Sequence, residues 1–131
     1  MKILTSAEDY LEAIYVISKN KNNVRAADIV KHTGYARASV SIALKQLKEN
    51  DCILSENHNI TLTTKGMEIA QRIYERHLLV SKFLMALGVD EETAFADACK
   101  LEHVISDKSF ECLNAFYQQH FDESGYKTNH K

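Results

Sequence analysis

The sequence predicts a mainly α-helical protein, interrupted once by a small β-hairpin, in which a winged helix-turn-helix is followed by an all-helical second part. Three observations carry this. The chain has no proline and only four glycines in 131 residues, so the usual material of irregular architecture is missing. Apolar residues recur at spacings of three and four along most of its length. One pair of short strand-like runs, residues 52–55 and 60–63, breaks that rhythm around a turn at 56–59.

The first helix is expected over 6–19, where Leu11, Ile14, Tyr15 and Ile17 form a stripe and Ser6 with Asp9 makes a capping box. A second follows over 24–32 with Ala26, Ala27, Ile29 and Val30 facing inward, and Gly34 supplies the tight turn after it. In the third, over 36–50, Val40, Ala43, Leu44 and Leu47 share a buried face and leave Arg37, Ser41, Lys45 and Lys48 outside. After the hairpin, Ile69, Ile73, His77, Val80, Leu84 and Leu87 mark a long helix over 64–87. Asp90 reads as the N-cap of a helix reaching about 106, with Glu91 and Glu92 favoured in its first turn by the helix dipole. A last helix over 108–121 places Phe110, Leu113, Phe116 and Tyr117 on one face, and the polar residues 123–131 read as a frayed end.

Composition narrows the function classes. With 45% apolar and 26% charged residues the chain is an ordinary globular protein. Its longest strongly apolar stretch, 83–89, is far too short to cross a bilayer, and the acids near the start do not suit a signal peptide, so a cytoplasmic protein without a membrane partner is expected. Cys52, Cys99 and Cys112 form no CxxC pair and should be reduced thiols. Net charge is -2, yet residues 1–73 carry 10 Lys and Arg against 8 acids while 74–131 carry 6 against 10. That split suggests two domains, 1–73 and 74–131, with different tasks.

A hairpin directly after the third helix is the mark of a winged helix-turn-helix, whose third helix enters a major groove while the wing lies along phosphates. Double-stranded DNA is therefore the expected partner. Candidate contacts are Arg37, Ser39, Ser41, Lys45 and Lys48 on that helix and His58 and Asn59 on the wing, with Lys31 adding to the basic surface. A three-helix bundle with an incidental hairpin fits the same pattern.

A second set of residues carries coordination chemistry. Asp9 and Glu12 stand three apart on the first helix, and Cys99, Glu102 and His103 stand at i, i+3 and i+4 on a later one. His77 lies on the apolar stripe of the long helix. Together they offer the O, N and S donors that a divalent transition metal takes. Each also has a plain structural reading: a capping acid, a solvated acid, a core histidine, a small buried thiol. Spacing alone does not show that three helices converge.

The stretches EDYLEAIY (8–15), VRAADIV (24–30), ASVSIALKQL (38–47), ITLTTKG (60–66), ERHLL (75–79) and ACKLEHVIS (98–106) resemble, in order and over about three quarters of the chain, the metal-dependent repressors of the diphtheria toxin repressor family. The resemblance is closest to the short manganese-transport-regulator branch. It implies that Asp9, Glu12, His77, Cys99, Glu102 and His103 bind one or two activating divalent cations per subunit. It also implies a homodimer built from the C-terminal helices, each subunit presenting a winged helix to half of a palindromic operator, and repression of metal-homeostasis genes. The length matches the two-domain branch, which lacks an SH3-like third domain.

Some positions depart from the family pattern. Iron-sensing relatives carry an apolar sulfur residue at the Asp9 position and use an ancillary site where this chain has Ser81 and Phe95. Manganese regulators often carry glutamate at the Cys99 position. Asp9 thus points to Mn(II), and Cys99 to Fe(II), Zn(II) or Co(II), with Mn(II) the expected cofactor and Fe(II) the alternative. Ala36 stands where an N-cap hydroxyl is common and Arg37 where proline is frequent, so a looser start to the third helix is expected.

Two rival functions start from the same residues. A metalloenzyme could activate water at such a site, but there is no HExxH motif or nucleophile elbow, so no enzyme activity and no small-molecule substrate are expected. A redox-responsive winged-helix regulator would instead use Cys99 as its sensor.

Overall fold

The computed structural model describes residues 5–121. The chain divides into two compact units, Met1–Ile73 and Tyr74–Lys131. Helix α1 spans Thr5–Ser18, α2 Ala26–Thr33, α3 Arg37–Glu49, α4 Thr64–Ala86, α5 Glu91–Val104 and α6 Asp107–His120, with strands β1 Ile53–Glu56 and β2 Asn59–Leu62 between α3 and α4. Helix α4 begins in the first unit and continues into the second. Among the described residues no helix is long and apolar enough to cross a membrane.

The first unit is built on the inward stripes of α1 to α3. Tyr10, Leu11, Ile14, Ile29, Val40 and Leu47 join Val24, Cys52, Ile53, Ile60 and Ala70 in one buried cluster. Gly34 closes α2 at φ 77°, a left-handed conformation that costs glycine little, and its N–H donates to the Val30 carbonyl at 2.8 Å. Helix α3 then starts at Ala36 without a side-chain cap, as the missing hydroxyl implies. Strands β1 and β2 pair antiparallel from Ile53 with Leu62 to Glu56 with Asn59. Val24 adds a bridge to Ile60, so the hairpin is anchored to the loop before α2.

Local readings of the sequence need correction at three points. Helix α1 already includes Thr5, so Ser6 sits in its first turn rather than capping it. Asp9, which would close that capping box, instead accepts a hydrogen bond from the Tyr35 hydroxyl. Ala27 is exposed, because the core-facing arc of the short α2 is centred on Ile29. The wing turn is tighter than 56–59: only Asn57 and His58 lie outside the strands, both at positive φ (52° and 67°), as a two-residue hairpin turn of the twist-matching type requires.

In the second unit, Phe83 on α4 meets Phe116 and Tyr117 on α6 and Phe121 beyond it, with ring centroids 5.9 to 6.2 Å apart. Leu87, at the end of the long apolar stripe, is 66% exposed, since it lies just past α4 where the chain turns away. Arg76 is buried, donates to the Ile105 carbonyl at 2.6 Å and pairs with Asp107, which ties α4 to the α5–α6 junction. Asp90 caps α5 by accepting from the Thr93 N–H at 2.9 Å, and Ser106 caps α6 by accepting from Ser109 at 3.1 Å. Ser106→Ala leaves that N–H without its partner and should cost about 1 kcal/mol, read as a lowered urea midpoint.

Two carboxylates, Asp28 and Asp90, give a pH dependence with a definite sign. Asp28 is held below the usual range by its hydrogen bonds from Lys21 and from the Arg25 backbone, and Asp90 by its bond from Thr93. A folded pKa below the unfolded one means that the stabilisation is complete above the ordinary value of about 4 and is lost as pH falls through the lowered folded value. Asp90→Asn keeps a capping oxygen and removes the titration. Between about pH 6 and pH 3, its denaturation midpoint should therefore fall less than that of the unsubstituted protein.

Candidate functional site

Helix α3 turns Arg37, Ser41, Lys45 and Lys48 outward, as its four-residue spacing requires. Arg37, Lys45 and Lys48 line a groove of about 560 Å³ together with His58 from the wing turn and Arg25 from the start of α2. Its floor is apolar, from Leu44, Ile53 and Ile60, and no carboxylate is among its lining residues. This is a local cationic surface on a chain of net charge -2, suited to a phosphate backbone. Two candidates lie differently. Ser39 faces a separate hollow of about 460 Å³ with Tyr10, Tyr35 and Ile42. The Asn59 side-chain oxygen accepts the Val24 N–H at 3.2 Å, which commits that atom to bracing the wing. Arg25, the N-cap of α2, is not among the contacts expected from the sequence, where a lone basic residue at the start of the second helix is a weak signal.

Coordination chemistry gathers in the second unit. The i, i+3, i+4 spacing on α5 sets Cys99, Glu102 and His103 on one face, and His77 comes from α4. Glu102 is 1% exposed; its Oε1 lies 3.1 Å from His77 Nδ1, and its Oε2 lies 3.3 Å from His103 Nε2. Among the described residues Oε2 nonetheless has no hydrogen-bond partner, an uncommon state for a buried carboxylate oxygen. Cys99 Sγ is 3.9 Å from His77 Nδ1, and the residue is exposed, so it is not a small buried hydrophobe. These four residues offer carboxylate, imidazole and thiol donors at close range, with one buried acceptor unmet. A divalent transition metal fits such a set.

The surroundings orient these donors. Ser81 is buried and donates to the His77 carbonyl at 2.7 Å, while the Phe95 ring lies 5.6 Å from the His77 ring. The Ser81 hydroxyl is thus spent on the helix backbone, and an aromatic ring borders the His77 imidazole. In the first unit, Asp9 and Glu12 are half-buried on α1. The Asp9 Oδ2 accepts from the Tyr35 hydroxyl at 3.4 Å. Tyr10 packs edge-on against Tyr35 at 5.4 Å, and its phenol is pushed up by burial and then by the charge of Asp9.

Residues 2–58 match the model of the iron dependent repressor N-terminal DNA binding domain, and residues 63–126 that of the iron dependent repressor metal binding and dimerisation domain. An uncharacterized HTH-type transcriptional regulator of Methanocaldococcus jannaschii is 37% identical over 121 residues, covering 90% of this chain and 97% of that protein. The chain belongs to the iron-dependent repressor family. Within this family it is also similar to the HTH-type transcriptional regulator MntR of Bacillus subtilis, at 33% identity over 119 residues, covering 90% of this chain and 83% of MntR. Among solved structures, the manganese regulator SloR aligns at 31% identity and a TM-score of 0.78 over 86% of this chain. The chain spans 53% of the SloR chain. Iron-dependent repressors are transcriptional regulators and not enzymes, so the metalloenzyme reading is set aside. The family places this chain among metal-dependent repressors that bind double-stranded DNA and form homodimers.

Proposed function

We propose that this chain is a manganese-responsive repressor of divalent-metal homeostasis genes, working in the cytoplasm on a palindromic operator. The observation that carries the reading is the face formed by Cys99, Glu102 and His103 beside His77, with a buried Glu102 oxygen that lacks a hydrogen-bond partner among the described residues. Asp9 and Glu12 complete the ligand set carried over from the family resemblance, and one or two cations bind per subunit. The cation, when bound, supplies the positive charge that offsets Asp9, Glu12 and Glu102. Each side chain then has a separate task. Glu102 and His103 would ligate from α5 and His77 from α4, and Asp9 and Glu12 would add carboxylate oxygens from α1.

The second unit pairs with a second copy, so that two α3 helices meet successive major grooves roughly 34 to 36 Å apart. Arg37, Ser41, Lys45 and Lys48 then address the groove, and His58 the adjoining backbone. Metal at about a hundredfold over its dissociation constant favours the competent state by roughly 2.7 kcal/mol per independent site. Support for manganese comes from Asp9, a hard oxygen donor, and from the similarity to MntR and SloR. Cys99 favours the iron reading, because a thiolate is softer than Mn(II) prefers.

The test is a fluorescence-anisotropy titration of chelator-stripped protein on DNA from its own promoter region, with Mn(II), anaerobic Fe(II) and Zn(II) added separately at fixed salt. Mn(II) should give the largest gain in affinity. A gain with Fe(II) alone transfers the assignment to iron, and no gain with any metal contradicts the reading.

A further inference from the structure

Residues 34–36 connect α2 to α3, and the last residue of α2 together with Tyr35 ties this connection back onto the first unit. Thr33 Oγ1 donates to the Ile29 carbonyl at 2.8 Å and accepts from the Tyr35 N–H at 3.2 Å. The Tyr35 ring rests edge-on against Tyr10 of α1 with centroids 5.4 Å apart. Its hydroxyl donates to Oδ2 of Asp9, also on α1. Tyr35 immediately precedes Ala36, the uncapped N-terminus of α3, and the first residue of that helix is Arg37 of the cationic groove.

We propose that Tyr35 is the positioning residue through which Asp9 sets the N-terminal end of the DNA-recognition helix. The inference rests on Asp9 being a metal ligand, as read above. A carboxylate has about four lone-pair sites, so a donor on Oδ2 leaves Asp9 able to ligate while fixing which way it faces. Because α3 has no side-chain cap, its first turn takes its orientation from the residues before it, and Tyr35 is attached to α1 through both ring and hydroxyl. At 3.4 Å the bond is longer than the roughly 2.7 Å usual between hydroxyl and oxygen. A small motion of Asp9 therefore strengthens or releases it, and Arg37, two residues after Tyr35, moves with that change. The route from ligand to recognition helix runs through side chains of one unit.

Tyr35→Phe removes the hydroxyl and keeps the ring on Tyr10. In the anisotropy titration its affinity without metal and its thermal midpoint should match the parent. The metal-induced gain should fall threefold or more, and the metal dissociation constant, measured by direct titration without DNA, should rise. In an Asp9→Ala background the same change should have no further effect on the dissociation constant, since the acceptor through which Tyr35 acts is gone. A Tyr35→Phe protein with the parental gain and metal affinity overturns the inference. So does an effect that simply adds to that of Asp9→Ala. A parent chain that shows no gain fails the metal-sensor reading itself, which separates the two failures. Should Tyr35→Phe lower the thermal midpoint, the Asp9→Ala comparison still decides, because a purely structural loss persists in that background and counts against the inference.

Discussion

Glu102→Gln abolishes the metal-dependent gain in DNA affinity while the protein stays folded. Glu102 is 1% exposed, contacts His77 through one oxygen and faces His103 with the other. The amide keeps the volume and one oxygen for the His77 contact, so no cavity opens. It removes the negative charge and one of the two anionic donor atoms. Losing an outer partner of a ligand typically costs about 10–100-fold in metal affinity, and losing the ligand's own charge should cost at least as much. A parental gain of about tenfold, equivalent to about 1.4 kcal/mol, should therefore vanish at any metal concentration near the parental dissociation constant. Stability supplies a second reading of the same substitution. A buried carboxylate carries a desolvation penalty that metal offsets, so the stripped variant should melt no lower than the stripped parent, whereas added metal should raise only the parent's midpoint. Retention of the gain by Glu102→Gln removes Glu102 from the ligand set.

Gly66→Ala has the largest effect expected on folding. A Cβ at this position would overlap the carbonyl oxygen of Cys52 and lie 3.0 Å from its carbon, both backbone atoms. The same carbonyl accepts the Thr63 N–H at 3.0 Å, and the Gly66 N–H donates to Thr63 Oγ1 at 3.1 Å, so the start of α4 is held onto the residue that precedes β1. No flexible side chain is available to yield. Ordinary overpacking costs about 1–3 kcal/mol, and a clash with fixed backbone should reach or exceed the upper end. The measurement is a urea denaturation curve. A midpoint shift equivalent to about 3 kcal/mol is expected, and a change within about 0.5 kcal/mol, the range of ordinary surface substitutions, would show that the α4 start can move away from Cys52 at little cost.

Much of this architecture is legible in the order of residues because its signals are local. The six helices of the described residues follow from apolar spacing, and Asp90 is recognisable as a cap because an acid precedes a periodic run. The Cys99, Glu102 and His103 face is legible for the same reason, since helical spacing alone puts those residues on one side. The parts that escaped depend on distant partners. Arg76 reads as a solvated charge until the Ile105 carbonyl, 29 positions away, is placed against it. Tyr35 and Asp9 are 26 positions apart, and only the packing of the first unit joins them. Apolar spacing ends one helix near Ser106, whereas its hydroxyl begins the next, a difference that depends on where the chain turns. The wing turn lacks the Asn-Gly pair that announces such turns, so the positive φ of Asn57 and His58 gave little warning.

The proposed switch is tested most directly by chelation of a preformed complex. Protein loaded with Mn(II) is bound to labelled promoter DNA at fixed salt, and EDTA is added while anisotropy is followed. The account predicts release, with apparent affinity falling about tenfold or more, equivalent to about 1.4 kcal/mol, and recovery when Mn(II) is returned in excess. An anisotropy that stays unchanged through stripping and reloading would contradict it, and the donors around Glu102 would then serve something other than control of DNA binding.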